Sequence, residues 1–282
     1  MKSECCIVYY SPNGSTRRIA TVIEDTLKNT SVTVQARDLA GPDDGSPFLT
    51  GKAGCLFIGS PVYRDTAIPP VMQFIEALPR AEGGFAVPFI TWGGASSGVA
   101  LWQMGQALQK KGYVLAGALS VIGVHSLMWQ SKQPECTGHP DTHDLQAVAD
   151  FIGKITRRLT DGKIRPLAVE ALDYQKHIDG DSMKKKLGMP WMIMPKTLDE
   201  GACTQCGICR DECPVAAISL SPHPIFNSDC FDCFNCIRQC PEDALIPAVA
   251  LEDIAKQIQK RVEYFDEDRS PRLIMNSDHV DS

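Results

Sequence analysis

Cys203-Thr204-Gln205-Cys206-Gly207-Ile208-Cys209-Arg210-Asp211-Glu212-Cys213-Pro214 and Cys230-Phe231-Asp232-Cys233-Phe234-Asn235-Cys236-Ile237-Arg238-Gln239-Cys240-Pro241 are one pattern written twice. Each reads Cys-x2-Cys-x2-Cys-x3-Cys-Pro, and together they take eight of the chain's 12 cysteines. Three thiolates at two-residue gaps wrap three corners of an iron–sulfur cube, and a more distant fourth supplies the last corner. Structural zinc is the plainer use of Cys-x2-Cys units, but it needs neither a third Cys at the same gap nor the closing proline. Disulfides need an oxidising compartment, and nothing upstream of the runs provides one. The pattern therefore calls for two 4Fe–4S clusters.

In the two-cluster arrangement of bacterial ferredoxins the fourth cysteine of each run ligates the other cluster. By that rule Cys203, Cys206, Cys209 and Cys240 hold one cluster, and Cys230, Cys233, Cys236 and Cys213 hold the second.

Outside the two runs the composition is that of an ordinary globular chain. Of its 282 residues, 44% are hydrophobic and 22% charged. A net charge of −6 argues against nucleic acid as a partner, and Lys184-Lys185-Lys186 reads as a solvated face. Met1-Lys2-Ser3-Glu4 runs straight into a short apolar segment without a cleavage site, so no signal peptide is expected. The longest uncharged run, Tyr113 to Trp129, is short for a membrane span and rich in β-branched residues. The expectation is a soluble, reduced, cytoplasmic protein with no membrane span.

From Glu4 to about Thr160 apolar runs alternate with helical patterns. Strands are expected at Cys5–Tyr10, Val32–Leu39, Gly54–Ile58, Phe85–Ile90 and Tyr113–Val124. Between them, helices bury Ile19, Ala20, Ile23 and Leu27; then Val71, Phe74, Ile75 and Leu78 after Pro69-Pro70; then Leu101, Met104, Ala107 and Leu108. A last helix from about Asp141 buries Leu145 to Leu159. Five strands alternating with helices make a doubly wound parallel sheet covered on both faces, an α/β fold. Ligands of such sheets sit beyond the carboxyl ends of the strands, where strand order reverses.

The loops after strands one, three and four are therefore the ones to inspect. Ser11-Pro12-Asn13-Gly14-Ser15-Thr16 is dense in hydroxyls and leads into a helix, a setting that suits a phosphate or a plain N-cap. It is neither a Walker loop nor a Gly-x-Gly-x-x-Gly turn, so ATP and NAD(P) are not signalled. Gly59-Ser60-Pro61-Val62-Tyr63-Arg64 and Thr91-Trp92-Gly93-Gly94-Ala95-Ser96-Ser97-Gly98 follow the third and fourth strands. Their glycines let backbone N–H groups approach a flat ring, and Tyr63 or Trp92 can stack on it or simply cover the sheet edge.

These three loops resemble the FMN loops of flavodoxins. The whole chain resembles the fusions of anaerobic bacteria and archaea that join a flavodoxin-like domain to a two-cluster ferredoxin. The resemblance covers roughly residues 4–160 and 196–247. It implies a flavodoxin-like five-stranded sheet followed by a C-terminal α+β ferredoxin domain, with FMN and two 4Fe–4S clusters as cofactors. It places the FMN phosphate on Ser11, Asn13, Gly14, Ser15 and Thr16. The flavin ring would lie between the Pro61, Val62, Tyr63, Arg64 loop and the Thr91, Trp92, Gly93, Gly94 loop. Ser11-Pro12-Asn13 departs from the threonine-rich flavodoxin form.

The expected division is a flavodoxin-like domain at 1–160, a linker at 161–195, a ferredoxin domain at 196–250 and a C-terminal helix and tail at 251–282. Within the linker, Pro166 to Ile178 reads as helix and Leu187 to Met194 as an apolar strap. Leu251, Ile254, Ala255, Ile258 and Val262 mark an amphipathic helix that docks on the rest of the chain, and the acidic tail from Asp266 reads as frayed. Cys136, His139 and His143 have metal-like spacing but sit where a loop leads into a helix, and His125 ends the fifth strand near the expected flavin. Cys5, Cys6 and Cys55 read as buried thiols.

A flavin beside two clusters suits an electron-transfer protein serving partner oxidoreductases. The alternatives are a flavin-dependent reductase of a small molecule, which an open substrate-sized pocket over the flavin would favour, and a redox or iron sensor. Between Lys196 and Ala250, three Lys/Arg face eight Asp/Glu, which favours a redox partner with a basic patch. A homodimer is left open.

Overall fold

The computed structural model describes residues 4–40, 54–81, 83–172 and 180–276. Five parallel strands form the sheet: β1 (Glu4–Tyr9), β2 (Thr33–Asp38), β3 (Cys55–Tyr63), β4 (Phe85–Trp92) and β5 (Ala118–Ile122). Their spatial order is β2-β1-β3-β4-β5, with the reversal between β1 and β3. That is the flavodoxin-type winding, and it opens a crevice beyond the carboxyl ends of β1 and β3.

β1, β3, β4 and β5 are largely apolar because helices cover both faces, whereas the edge strand β2 carries Gln35, Arg37 and Asp38 and is partly exposed. Alternate residues of one strand go to opposite sides: Cys5 and Ile7 face α1 (Ser15–Lys28) and α4 (Thr142–Thr160), whereas Cys6 and Val8 face α2 (Pro69–Ala77) and α3 (Ala100–Lys110). The expected inward faces are seen: Ile19, Ile23 and Leu27 on α1, Val71 and Ile75 on α2, and Val148, Phe151, Ile152 and Ile155 on α4. Cys5, Cys6 and Cys55 are buried, and desolvation pushes the first two thiols up to about 11 and about 12.

Three expectations are corrected. The fifth strand is not continuous from Tyr113. A two-residue piece, Val114–Leu115, pairs with β4, and β5 proper begins at Ala118 after Ala116-Gly117. In the linker, the expected helix from Pro166 is a 3₁₀ turn at Val169–Leu172, packed where Gly105 leaves room on α3; residues 173–179 of that stretch lie outside the described residues. A short helix follows, α5 (Gly180–Leu187).

The tail is the third correction. After the C-terminal helix α6 (Leu251–Phe265), which buries Ile254 and Ile258, Arg272–Ile274 forms β6 and pairs antiparallel with Ala118–Ser120 at the sheet edge. Arg158 donates to Asn276 O at 2.6 Å and helps hold it there. Residues 277–282 lie outside the described part.

The cysteine-rich half carries its sequence repeat into the backbone. Lys196–Leu198 pairs with Leu245–Pro247, and Ile218–Leu220 with Pro224–Phe226, both antiparallel. Positive φ falls at equivalent places of the two runs: Gln205 and Asp232, Gly207 and Phe234, Ala216 and Asp243. The fourth cysteines match too, Cys213 Sγ accepting from Ala217 N–H at 3.2 Å and Cys240 Sγ from Ala244 N–H at 3.3 Å.

Candidate functional site

The crevice at the β1–β3 reversal is an open cavity of about 810 Å³, within the size range of small-molecule sites. Three loops build its sheet side. Ser11, Asn13, Ser15 and Thr16 line it from the first loop; Pro61, Val62, Tyr63 and Arg64 from the second; Thr91, Trp92 and Gly93 from the third. Gly14 and Gly94 do not line it. Gly14 is the left-handed N-cap of α1 and brings no side-chain cap, which leaves the Ser15 and Thr16 N–H groups to a ligand, that of Arg17 going to Ser11 Oγ. Gly94 lies against Cys136, whose Sγ would be 2.4 Å from an added Cβ.

The hydroxyls of the first loop are partly spent on holding its shape. Ser11 Oγ accepts from Arg17 N–H at 2.9 Å, and the Thr16 and Thr91 hydroxyls meet at 2.7 Å, tying the first loop to the third. Asn13 Nδ2 donates to the Tyr63 hydroxyl at 2.6 Å and ties it to the second. The second loop is a two-residue hairpin with both Arg64 and Asp65 at positive φ. Asp65 is held in that conformation by ion pairs to Lys186 and Arg261 and by Val99 N–H donating to its carbonyl at 2.7 Å.

Two buried polar atoms on the cavity wall have no partner among the described residues, Asn13 Oδ1 and Trp191 Nε1. A ligand carrying phosphate and carbonyl oxygens fits both. Trp191 offers it a donor, and turning the Asn13 amide over lets Oδ1 accept from Tyr63 while Nδ2 faces the ligand. His125 also lines the cavity, its ring over Gly93, where an added Cβ would lie 2.7 Å away. Burial, and then the charge of Arg261, hold its pKa down to about 4. Leu127 N–H donates to Nδ1 at 3.3 Å, so the neutral ring carries its proton on Nε2.

The far wall brings together the strap and the docking helix expected from the sequence with part of the second cysteine run, a juxtaposition the sequence did not show. It consists of the strap from Leu187 to Met194, of Ile254, Ile258 and Arg261 on α6, and of Phe231, Asp232 and Phe234 from the second cysteine run. Phe231 is fully buried, edge-on to Tyr10 at 5.6 Å and tilted on Tyr63 at 5.9 Å. Tyr10 donates to Pro214 O at 2.6 Å, and Asn235 to Pro12 O at 3.2 Å.

The eight cysteines line two further cavities. Cys203, Cys206, Cys209 and Cys240 share one, the outer site, where Cys206 is exposed. Cys213, Cys230, Cys233 and Cys236 share the other, the inner site, walled by Phe226, Phe231 and Phe234. Each cavity thus draws three cysteines from one run and the fourth from the other. An all-thiolate set of four suits a 4Fe–4S cluster. Burial pushes Cys233 and Cys236 up to about 12, so bare thiolates are unwelcome there without bound cations.

Lys196 is buried at the inner site, donating to Asp232 Oδ1 at 2.8 Å, Met194 O at 3.1 Å and Cys230 Sγ at 3.7 Å. Burial opposes its charge, but the hydrogen bond and charge of Asp232 prevail and keep it above the ordinary lysine value. Asp232 Oδ2 accepts from Arg64 at 3.0 Å and from Met194 N–H at 2.9 Å.

Cys136, His139 and His143 do not converge. His139 Nδ1 meets Asp144 Oδ2 at 2.6 Å, and Asp141 and Asp144 form a capping box at the start of α4. The spacing belongs to a helix start.

Residues 196–241 match the family model described as a 4Fe-4S dicluster domain. The chain joins a flavodoxin-type sheet to a ferredoxin-type dicluster segment. No curated protein matches it. Among solved structures it is similar to rubredoxin oxygen:oxidoreductase from the anaerobe Desulfovibrio gigas (21% identity, TM-score 0.45, covering 57% of this chain and 37% of that one). It is also similar to a flavodoxin from the domain Archaea (18%, TM-score 0.43, 56% and 99%) and to flavodoxin 1 from Bacillus cereus (16%, TM-score 0.44, 55% and 98%). Likeness at this level adds nothing to the strand order, which stands on its own. Among the described residues no helix is long and apolar enough to cross a membrane.

Replacing Gly14 with Val tests the first loop. Its φ of 89° is costly for any other residue, and an added Cβ meets nothing within 4 Å, so the damage is conformational and local. A left-handed non-glycine residue costs about 1–2 kcal/mol, on the order of tenfold in affinity. If this loop holds FMN and the cysteine runs hold clusters, FMN titration followed by flavin fluorescence shows that loss with iron and sulfide content unchanged. Loss of both together would mean that the loop and the cysteine runs do not serve separate cofactors.

Proposed function

We infer that this chain is an iron–sulfur flavoprotein that relays low-potential electrons between partner proteins and a bound FMN through two 4Fe–4S clusters. The observation that carries this reading is a shared wall. Phe231 and Phe234, which flank inner-site Cys233, also line the cavity whose opposite side is the three loops. FMN exchanges one or two electrons and each cluster one, so together they convert between single electrons and pairs.

In this reading Ser11, Asn13, Gly14, Ser15 and Thr16 hold the phosphate, and the loops at Pro61–Arg64 and Thr91–Gly94 hold the ring. The outer thiolates carry one cluster and the inner thiolates the second. Exposed Cys206 and Ile208 present the outer site to a partner, amid the net negative charge of this segment. A partner with a basic patch fits it. Anaerobically purified protein is expected to carry one FMN with about eight iron and eight sulfide per chain. Bound zinc without acid-labile sulfide overturns the reading.

One observation favours a second reading, a flavin-dependent reductase of a small molecule. The cavity runs past the loops to the strap, where Met189 and Met192 are exposed, and so has the open, substrate-sized form that such an enzyme needs. Identification of co-purifying proteins separates the two, because a reductase needs an electron donor alone and a relay also needs an acceptor protein.

A further inference from the structure

The two cysteine cavities are chemically unequal. Among the described residues, the single charged one lining the inner cavity is Lys196 and the single charged one lining the outer cavity is Glu242. Lys196 has a side chain only 2% exposed, donates to the cluster-bearing thiol of Cys230, and lies over the rings of Phe226 and Phe234 at 5.5 and 5.4 Å. Its partner Asp232 is shared with Arg64, so two cations meet one carboxylate and a positive charge is left over. Around the outer site Glu242 is exposed, and Arg210 is turned to Asp211 at 2.8 Å.

Reduction adds negative charge to a cluster, and burial among three phenylalanines makes that addition harder. On burial alone the inner site would be the harder to reduce, and an electron arriving at the exposed outer site would stay there. A buried ammonium with an N–H···S bond to a ligand thiolate works in the opposite direction, because it stabilises the more negative state.

We propose that Lys196 and Glu242 set a potential step between the two clusters, the inner one higher, which draws electrons inward toward the flavin cavity. This rests on the two-cluster reading above. Lys196 acts through Cys230 and the field at the inner site; it is a positioning residue, not a ligand.

The test is a redox titration of the anaerobically purified full chain, followed by electron paramagnetic resonance. Lys196→Met keeps the stem and removes the charge. It is expected to lower the higher of the two cluster midpoints and leave the lower one in place. Glu242→Gln is expected to raise the lower midpoint, by less, because Glu242 is exposed. An unchanged pair of midpoints in Lys196→Met, or a fall in the lower one, overturns the proposal. If Lys196→Met loads only about four iron per chain, Asp232→Asn decides instead: it keeps the ammonium and removes the carboxylate beside Cys230. The higher midpoint must then rise, and a fall or no change overturns the proposal. A parent chain without about eight iron fails the cluster reading itself and takes this proposal with it.

Discussion

With Cys233 replaced by Ala in the full chain, a low-potential ferredoxin-type donor is expected to reduce the bound flavin on the order of 100-fold more slowly. When an intramolecular step becomes an encounter between separate molecules, the full advantage of positioning is far larger than about 100-fold, so a loss of this size needs only part of it. Cys233 is the inner-site thiol between Phe231 and Phe234, the two side chains that also line the cavity beyond β1 and β3. Stopped-flow absorbance at flavin wavelengths reads the rate, and flavin content confirms that the cavity is intact. An unchanged rate would show that the inner cluster is not on the path, and the relay reading would be abandoned. The comparison uses the full chain because one cut near Thr160 loses β6 from the sheet edge and the whole far wall of the cavity.

The second large effect concerns ligand exchange between the two runs. Cys240→Ala is expected to leave about four iron per chain in place of about eight, and the cluster lost is the outer one, of Cys203, Cys206 and Cys209. Cys240 lines the outer cavity, although it closes the run that supplies the inner one. Spectra in which the Cys230, Cys233 and Cys236 cluster has gone and the other persists would reverse the assignment.

What the sequence made legible was local. The cysteine runs declare themselves by spacing, four of the five parallel strands by short apolar runs (β2, with Gln35, Arg37 and Asp38, is half polar), and the three cavity loops by their place after strands one, three and four. What stayed hidden depends on contacts between distant residues. Arg272-Leu273-Ile274 is too short to show a period, and it becomes a strand only because Ala118–Ser120 offers an unpaired edge. Lys196 read as one of three cations in an acidic stretch, since nothing near it in sequence announces Cys230 or Asp232. Phe234 occupies in the second run the place that Gly207 fills in the first, at a φ of 63° that disfavours any side chain. It also lines both the inner site and the cavity beyond β1 and β3, a role that two-residue spacing cannot reveal.

The strand made by Arg272–Ile274 changes what kind of connection joins the two halves. The cysteine-rich segment leaves the sheet through α4 and comes back to it at β6, so the same sheet grips it before and after. A pendant domain on a single tether must tumble into place before each transfer, and its rate falls as the solvent thickens. A segment anchored at both ends has no such search to make. Adding sucrose or glycerol should then slow only the encounter with the donor protein, while electron passage inside the chain keeps its pace.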